Sequence, residues 1–336
     1  MKIVVDAFGG DYSPEEIIFG VIDYIQQSSK TEIILTGNAN KINEIFRENN
    51  FNSSRITIVD ASEIITNNDS PVFAVREKKN SSMTVALDLL KSDGVDAFVT
   101  AGPTGAALSG AFMKLGRIKG ISRPALASIL PTKIGGSAIL CDCGANVDSK
   151  PINLHHFAIM ANYFAKNYLG IKNPRIGLLS NGTEKEKGNL LNKEVYKILE
   201  QDNKLNFIGN CEARELLSGD YDVIVTDGFA GNVALKTAEG IADAIFIKLK
   251  TTLKKKGNLI QKFGALLMKG VFKSVKKALD YNTLGGACLL GVNKIIIKAH
   301  GSSKRLAIKN SIFQAETLVK VELCNKIHEG IIEYGL

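Results

Sequence analysis

Tryptophan is absent from this chain of 336 residues, and the few histidines (4), cysteines (5) and prolines (7) restrict the chemistry available to it. The cysteines, Cys141, Cys143, Cys211, Cys288 and Cys324, are odd in number and scattered. Such a set argues against a disulfide framework and fits thiols kept reduced in a cytoplasm. No apolar run approaches the roughly 20 residues of a membrane span. No basic, apolar leader with a small-residue end precedes the first strand, so no secretion signal is expected. The sequence lacks G-x-G-x-x-G and G-x-x-x-x-G-K-[ST], the loops that cradle dinucleotides and nucleoside triphosphates. It also lacks a G-x-S-x-G elbow, and with so little histidine a hydrolase triad is poorly supported. Cys141 and Cys143, with His155 and His156 downstream, lack the second ligand pair of a zinc site, and "ILCDC" reads as a buried strand end, so no metal is expected.

Acidic residues are missing from one long stretch. Between residues 244 and 279 there are ten lysines, no arginine and no acid, in a chain whose net charge is +8. Without those lysines the rest of the chain stands at −2. One surface element therefore makes the protein basic, which suits local docking better than general nucleic-acid binding. RNA binding would also favour aromatic platforms beside the charges, and the stretch from Asn258 to Leu279 offers only Phe263 and Phe272.

What is present is alternation. Short β-rich runs such as "KIVVD", "TEIILTG", "DAFVT", "SAILC", "RIGLLS", "DVIVT" and "KIIIK" alternate with helical periodicity over 15–28, 39–48, 83–92, 105–116, 152–168, 189–201 and 303–325. Apolar runs without alternation suggest strands buried on both faces. The pattern predicts an α/β fold of three αβα layers around a mostly parallel sheet, one domain over 1–336, with residues 244–279 as a protruding basic helical element.

In open parallel sheets ligands bind beyond the carboxyl ends of the strands. The loops there are "DAFGGD", "AGPTG", "CGANVD", "NGTEKEKGN", "DGFAGN" and "HGSS". Each combines glycine with Asn, Asp, Ser or Thr, so backbone N–H groups and small polar side chains are expected to converge on an anion. Plain turn chemistry explains any one of them; the set predicts a binding site along one sheet edge. Ser13 reads as an N-cap, with Pro14 as the first helical residue and Glu16 as its capping-box partner.

The blocks "DAFGGDYSPEEI", "PVFAVREKKNSSM", "AGPTGA", "DCGANVD", "EKEKGN", "FIGNCEAR", "VTDGFAGNVALKTAEG", "GGACLLGV" and "AHGSS" occur in this order over about residues 1–325. In this the chain resembles the bacterial phosphate acyltransferases of phospholipid synthesis. The resemblance implies a fold similar to phosphotransacetylases and to isocitrate and isopropylmalate dehydrogenases. It implies transfer of a long-chain fatty acyl group from acyl carrier protein to inorganic phosphate, a homodimer, no cofactor, and delivery of acyl phosphate to a membrane glycerol-3-phosphate acyltransferase. Phe8, Pro103 and Ser180 depart from the family's usual Met, Asn and Asn. A phosphotransacetylase-like enzyme using acyl-CoA, or a non-enzymatic lipid- or nucleic-acid-binding protein, stands as the alternative.

Attack of phosphate on a thioester needs no covalent intermediate, because a thiolate leaves readily. The demands are positioning and oxyanion stabilisation. Lys187 is expected to hold the phosphate or oxyanion and Asn232 to donate to the same centre. Thr104, Asn146 and His300 would complete the polar wall. Gly9, Gly10 and Gly105 would let backbone approach, and Arg76, Asp148 and Asp227 join them as substrate-binding candidates. Asp6 and Asp11 are expected to orient backbone N–H groups or to pair with a cation such as Arg76, with plain turn formation as the alternative.

In "NLIQKFGALLMKGVFKSVKKAL", Leu259, Ile260, Phe263, Leu266 and Leu267 share one helical face, and Lys262, Lys269 and Lys273 an adjacent one, with a possible break at Gly270. Three uses compete: an anionic membrane surface, acyl carrier protein, or a second copy of the chain. Membrane contact is favoured, which would make the protein cytoplasmic and peripherally membrane-associated.

Overall fold

The structure, a computed structural model, describes residues 1–28, 30–92, 94–256, 258–279 and 284–336. The side chains of 256, 259 and 276–279 also lie outside the description, so the expected role of the Leu259 side chain does too. The strands are β1 (Lys2–Asp6), β2 (Glu32–Gly37), β3 (Ile56–Asp60), β4 (Ala97–Thr100), β5 (Ala125–Pro131), β6 (Ser137–Cys141), β7 (Ile176–Ser180), β8 (Phe207–Glu212), β9 (Val223–Val225), β10 (Ala287–Leu290) and β11 (Ile295–Lys298). The helices are α1 (Glu15–Gln27), α2 (Ala39–Glu48), α3 (Pro71–Glu77), α4 (Ser82–Lys91), α5 (Thr104–Leu115), α6 (Pro151–Phe164), α7 (Leu190–Gln201), α8 (Gly228–Lys256), α9 (Leu259–Leu267), α10 (Lys269–Leu279), α11 (Arg305–Lys320) and α12 (Leu323–Glu333).

All these strands join one sheet in the order β3-β2-β1-β4-β11-β10-β5-β6-β9-β7-β8. Pairing is parallel from β3 to β11 and again from β6 to β8, and antiparallel across β11–β10, β10–β5 and β5–β6. Following those pairings, β1, β2, β3, β4, β11 and β5 run one way and β10, β6, β9, β7 and β8 the other. The expected single edge of ligand loops is therefore corrected. The loops after β1, β4 and β11 leave one end of the sheet, and those after β6, β7 and β9 leave the opposite end. Two apolar clusters fill the layers on its two faces, one around Phe157, Phe164 and Ile312, the other around Phe98, Leu87 and Leu140.

The predicted helices match closely, but four local readings change. The run over 303–325 is broken where Glu322 takes φ 52°, separating α11 from α12. Strand β10, four residues in "GGACLLGV", was too short and glycine-flanked to read. Ser13 does not cap α1: its hydroxyl donates to the Gly10 carbonyl (2.9 Å), Pro14 stands at the N-cap, and the Glu16 carboxylate accepts the Arg305 N–H (2.8 Å). The basic stretch begins midway along α8 and continues as α9 and α10. The break falls at Met268 and not at Gly270, with Asn258 and Gln261 forming a capping box at the start of α9.

Candidate active site

At the centre of the sheet, where the two parallel halves meet, a polar pocket of about 280 Å³ lies between α8 and strands β5, β10 and β11. Thr104, the first residue of α5, Gly144 after β6, Asn232 and Lys236 on α8, and Lys298 and His300 at the end of β11 line it. The pocket thus gathers residues from loops at both ends of the sheet, which the antiparallel centre brings side by side.

Close backbone approach builds one wall. A Cβ on Gly9 would stand 2.5 Å from Asp6 Oδ2 and 2.6 Å from Gly102 N. Gly10 has φ +102°, and a Cβ there would lie 2.9 Å from the Gly301 carbonyl. Only glycine lets the loops after β1, β4 and β11 meet so closely. Asp6 is buried and works behind the wall: its carboxylate accepts the Phe8 N–H (3.2 Å) and the Thr100 hydroxyl (2.8 Å), and Thr100 in turn accepts the Gly102 N–H (2.9 Å). Burial pushes the Asp6 carboxyl up. Asp11 is exposed beside Gly301, whose carbonyl accepts its N–H (2.8 Å). Neither aspartate pairs with Arg76, which is exposed on α3 and forms no ion pair among the described residues.

The other wall is organised by a residue that the sequence reading did not single out. Asp142 is buried, and its carboxylate accepts the N–H groups of Leu126 (3.0 Å), Gly144 (3.2 Å), Ala145 (3.0 Å) and Asn146 (2.7 Å). The Asn146 side chain spends its amide hydrogens on Asp142 (2.9 Å) and the Pro124 carbonyl (2.8 Å), so it braces the loop. A Cβ on Gly231 would stand 1.9 Å from the Asp142 carbonyl oxygen, and glycine alone lets α8 dock here. Asp227 accepts the Ala230 N–H (2.8 Å) and caps the same helix. This docking sets Asn232 against Gly144, its Oδ1 3.6 Å from where a Gly144 Cβ would lie.

Charge in the pocket comes from Lys236, paired with Glu239 (2.7 Å), and from Lys298. The Ser302 N–H donates to His300 Nδ1 (3.1 Å), which places the ring proton on Nε2. Desolvation and the nearby Lys236 hold the His300 imidazole below its usual range, so it is a neutral donor at pH 7.

The remaining candidates lie elsewhere. Gly105 sits where a Cβ would be 2.7 Å from Pro71, and so serves the packing of α5 on α3. Pro103 stands at the N-cap of α5 without a side-chain cap. Asp148 is exposed and does not line the pocket. Lys187 is exposed in the loop after β7, and the structure does not bring it into the polar pocket with Asn232. Its neighbours Asn181, Gly188 and Asn189 instead line an apolar groove of about 920 Å³ on the other side of α8, with Leu216, Phe229, Val233, Ile241 and Ile245. The first turns of α8 therefore separate a polar cavity from an apolar one.

On α9 and α10, Ile260, Phe263, Leu266, Leu267 and Val271 are exposed, as are Lys262, Lys269 and Lys273. No helix among the described residues is long and apolar enough to cross a membrane. No group of three His, Cys, Asp or Glu among them is placed to hold a metal ion.

Known structures share this fold. A phosphotransacetylase from Streptococcus pyogenes superimposes with a TM-score of 0.63 over 95% of this chain and 94% of its own, at 18% identity. A phosphotransacetylase from Staphylococcus aureus gives 0.60 over 95% and 94%, at 17% identity. The sequence model of the family described as fatty acid synthesis protein matches residues 1–326. A phosphate acyltransferase of Thermoanaerobacterium thermosaccharolyticum is 49% identical over 331 residues, 98% of this chain and 97% of that protein. One from Halothermothrix orenii is 45% identical over 336 residues, the full length of both. With identity of this level across its whole length, this chain belongs to the phosphate acyltransferases of the fatty acid synthesis protein family.

Proposed function

We propose that the protein transfers a long-chain fatty acyl group from acyl carrier protein to inorganic phosphate at the polar pocket. The observation that carries this is the pocket's composition. It offers two lysines, Lys236 (paired with Glu239) and Lys298, the neutral donors Asn232, Thr104 and His300, and, among the described residues, no cysteine or serine activated by a base. Cys143, the thiol at the pocket wall, is pushed by burial above the range of a usable nucleophile. That set suits direct displacement. A phosphate oxygen bonds to the thioester carbonyl carbon, the C–S bond breaks, and the thiolate leaves with the electron pair and takes the proton released by hydrogen phosphate. Asn232, whose side chain makes no hydrogen bond among the described residues, donates to the oxyanion. Lys187, in the loop beside the groove, supplies positive charge on the side of the acyl donor. The apolar groove across α8 favours a long acyl group over acetyl.

The exposed apolar and lysine faces of α9 and α10 support contact with an anionic membrane surface, where an acyl phosphate would be handed to a membrane glycerol-3-phosphate acyltransferase. The working unit on this reading is a homodimer.

The test is phosphate-dependent release of thiol from long-chain acyl carrier protein, with acyl phosphate trapped as hydroxamate and acyl-CoA run in parallel. Release from the carrier protein alone supports the reading. Release from acyl-CoA alone replaces it with phosphotransacetylase chemistry, and release from neither removes it. Lys187→Ala and Asn232→Ala are each expected to cut turnover, and full activity in both would overturn their assignment.

A further inference from the structure

Lys298 ends a strand that is otherwise "III", at the middle of the sheet and on the wall of the polar pocket. A lysine here is costly, because taking an ammonium out of water costs several kcal/mol unless charge and hydrogen bonds compensate it. Its compensation within the chain is incomplete. Nζ donates to the carbonyl oxygens of Ala101 (3.3 Å) and Ala299, both neutral acceptors. An ammonium has three donors, so one remains for the pocket. Lys298 forms no ion pair among the described residues. Asp6 and Asp11 act on it only through their charge: Asp6 is occupied by Phe8 and Thr100, and the pocket's Glu239 is occupied by Lys236. The result is a partly buried cation, positioned by two backbone carbonyls, facing a cavity that already holds a second lysine.

We propose that Lys298 is a catalytic residue of this site: its ammonium binds the inorganic phosphate, with Lys236 on the facing helix as the second cation and the Asn232 amide beside them. This rests on the reading of the pocket as the site of acyl transfer to phosphate, and it divides the labour between lysines. Lys298 holds the nucleophile, while Lys187 stands on the acyl-donor side of α8. Two fixed cations and a few N–H donors are what a phosphate dianion requires. The environment of Lys298 agrees: burial first, and then the neighbouring Lys236, outweigh the charges of Asp6 and Asp11 and pull it down to about 8, a cation that gains from an incoming anion.

The test is a pair of variants, Lys298→Met and Lys298→Arg, read in two ways. In steady-state assays Lys298→Met is expected to raise the KM for phosphate roughly ten- to hundredfold with the KM for the acyl donor unchanged. Without any acyl donor, inorganic phosphate is expected to raise the melting temperature of the parent protein, with sodium chloride at equal ionic strength as control, and to leave that of Lys298→Met unmoved. An unchanged phosphate KM and an unchanged phosphate-induced shift in a folded Lys298→Met would overturn the proposal. Should the methionine variant fail to fold, Lys298→Arg decides: a raised phosphate KM supports the assignment, and a wild-type value overturns it. A parent protein that phosphate stabilises but that transfers no acyl group would sink the enzymatic reading and leave the phosphate site standing.

Discussion

Asp142→Asn changes one oxygen into an amide nitrogen and leaves the shape of the side chain almost intact. In the native loop Oδ1 accepts the N–H groups of Leu126, Gly144 and Ala145, and Oδ2 accepts the backbone and side-chain N–H of Asn146. Asparagine retains only one acceptor oxygen. Oriented to keep the three bonds at Oδ1, it turns an NH2 group against both donors of Asn146; flipped, it loses the other three. At least two charge-assisted bonds therefore disappear, each worth about 1.5–3 kcal/mol, for a loss of about 3–6 kcal/mol. That is a large share of the about 5–15 kcal/mol by which a folded protein is stable. With a urea slope of about 3 kcal/mol per molar, the unfolding midpoint followed by circular dichroism should fall by about 1–2 M. Because Asn232 rests against Gly144 in the same loop, turnover should fall in variant protein that is still folded. A midpoint within about 0.3 M of the parent, which is about 1 kcal/mol on that slope, would refute the view that this carboxylate organises the wall.

Three further outcomes are expected. Asn232→Ala should lower kcat by about 10²–10³, as for loss of one oxyanion donor, with the circular dichroism spectrum and melting temperature unchanged because the side chain is exposed; wild-type turnover would remove the assignment. Affinity for phosphate, referred to its dianion, should be full below pH about 8, where Lys298 is an ammonium, and should decline as pH rises through that value; the groups facing it are Lys236 and Glu239 from α8, Asp6 at the end of β1, Asp11 in the loop that follows, and His300, and a dianion KM flat across the alkaline range would contradict this. The parent protein should float with anionic phosphatidylglycerol vesicles, and the Phe263→Glu, Leu267→Glu double variant should not; flotation of both, or of neither, would exclude α9 as the membrane-contacting face.

Much of the architecture was legible because its signals are local. Unbroken apolar runs such as "KIVVD" and "RIGLLS" marked strands covered on both faces, and 3.6-residue periodicity placed α2 over its observed residues, 39–48. Local signals failed where a distant partner overrode them. Ser13, Pro14 and Glu16 carry a capping pattern, yet Ser13 turns to Gly10 and Glu16 is claimed by the Arg305 N–H from far along the chain. Asp142 stood in plain view within "DCGANVD", but an aspartate beside glycine reads as a turn residue until the N–H groups converging on it are seen. Lys298 shows in the sequence only as the end of a strand, since periodicity does not say that a strand's last side chain faces a cavity.

The sequence by itself determined the layers, most of the helix positions, the cysteines' scatter, the basic stretch and the family, because each is written in composition, periodicity or ordered blocks. Only the tertiary structure decided which polar residues share a pocket. Strand direction is a property of pairing between segments far apart in the chain, and the antiparallel pairs β11–β10, β10–β5 and β5–β6 reverse the second half of the sheet. That reversal splits the ligand loops between two ends, places Thr104 and His300 opposite Asn232 across the middle strands, and leaves Lys187 on the far side of α8.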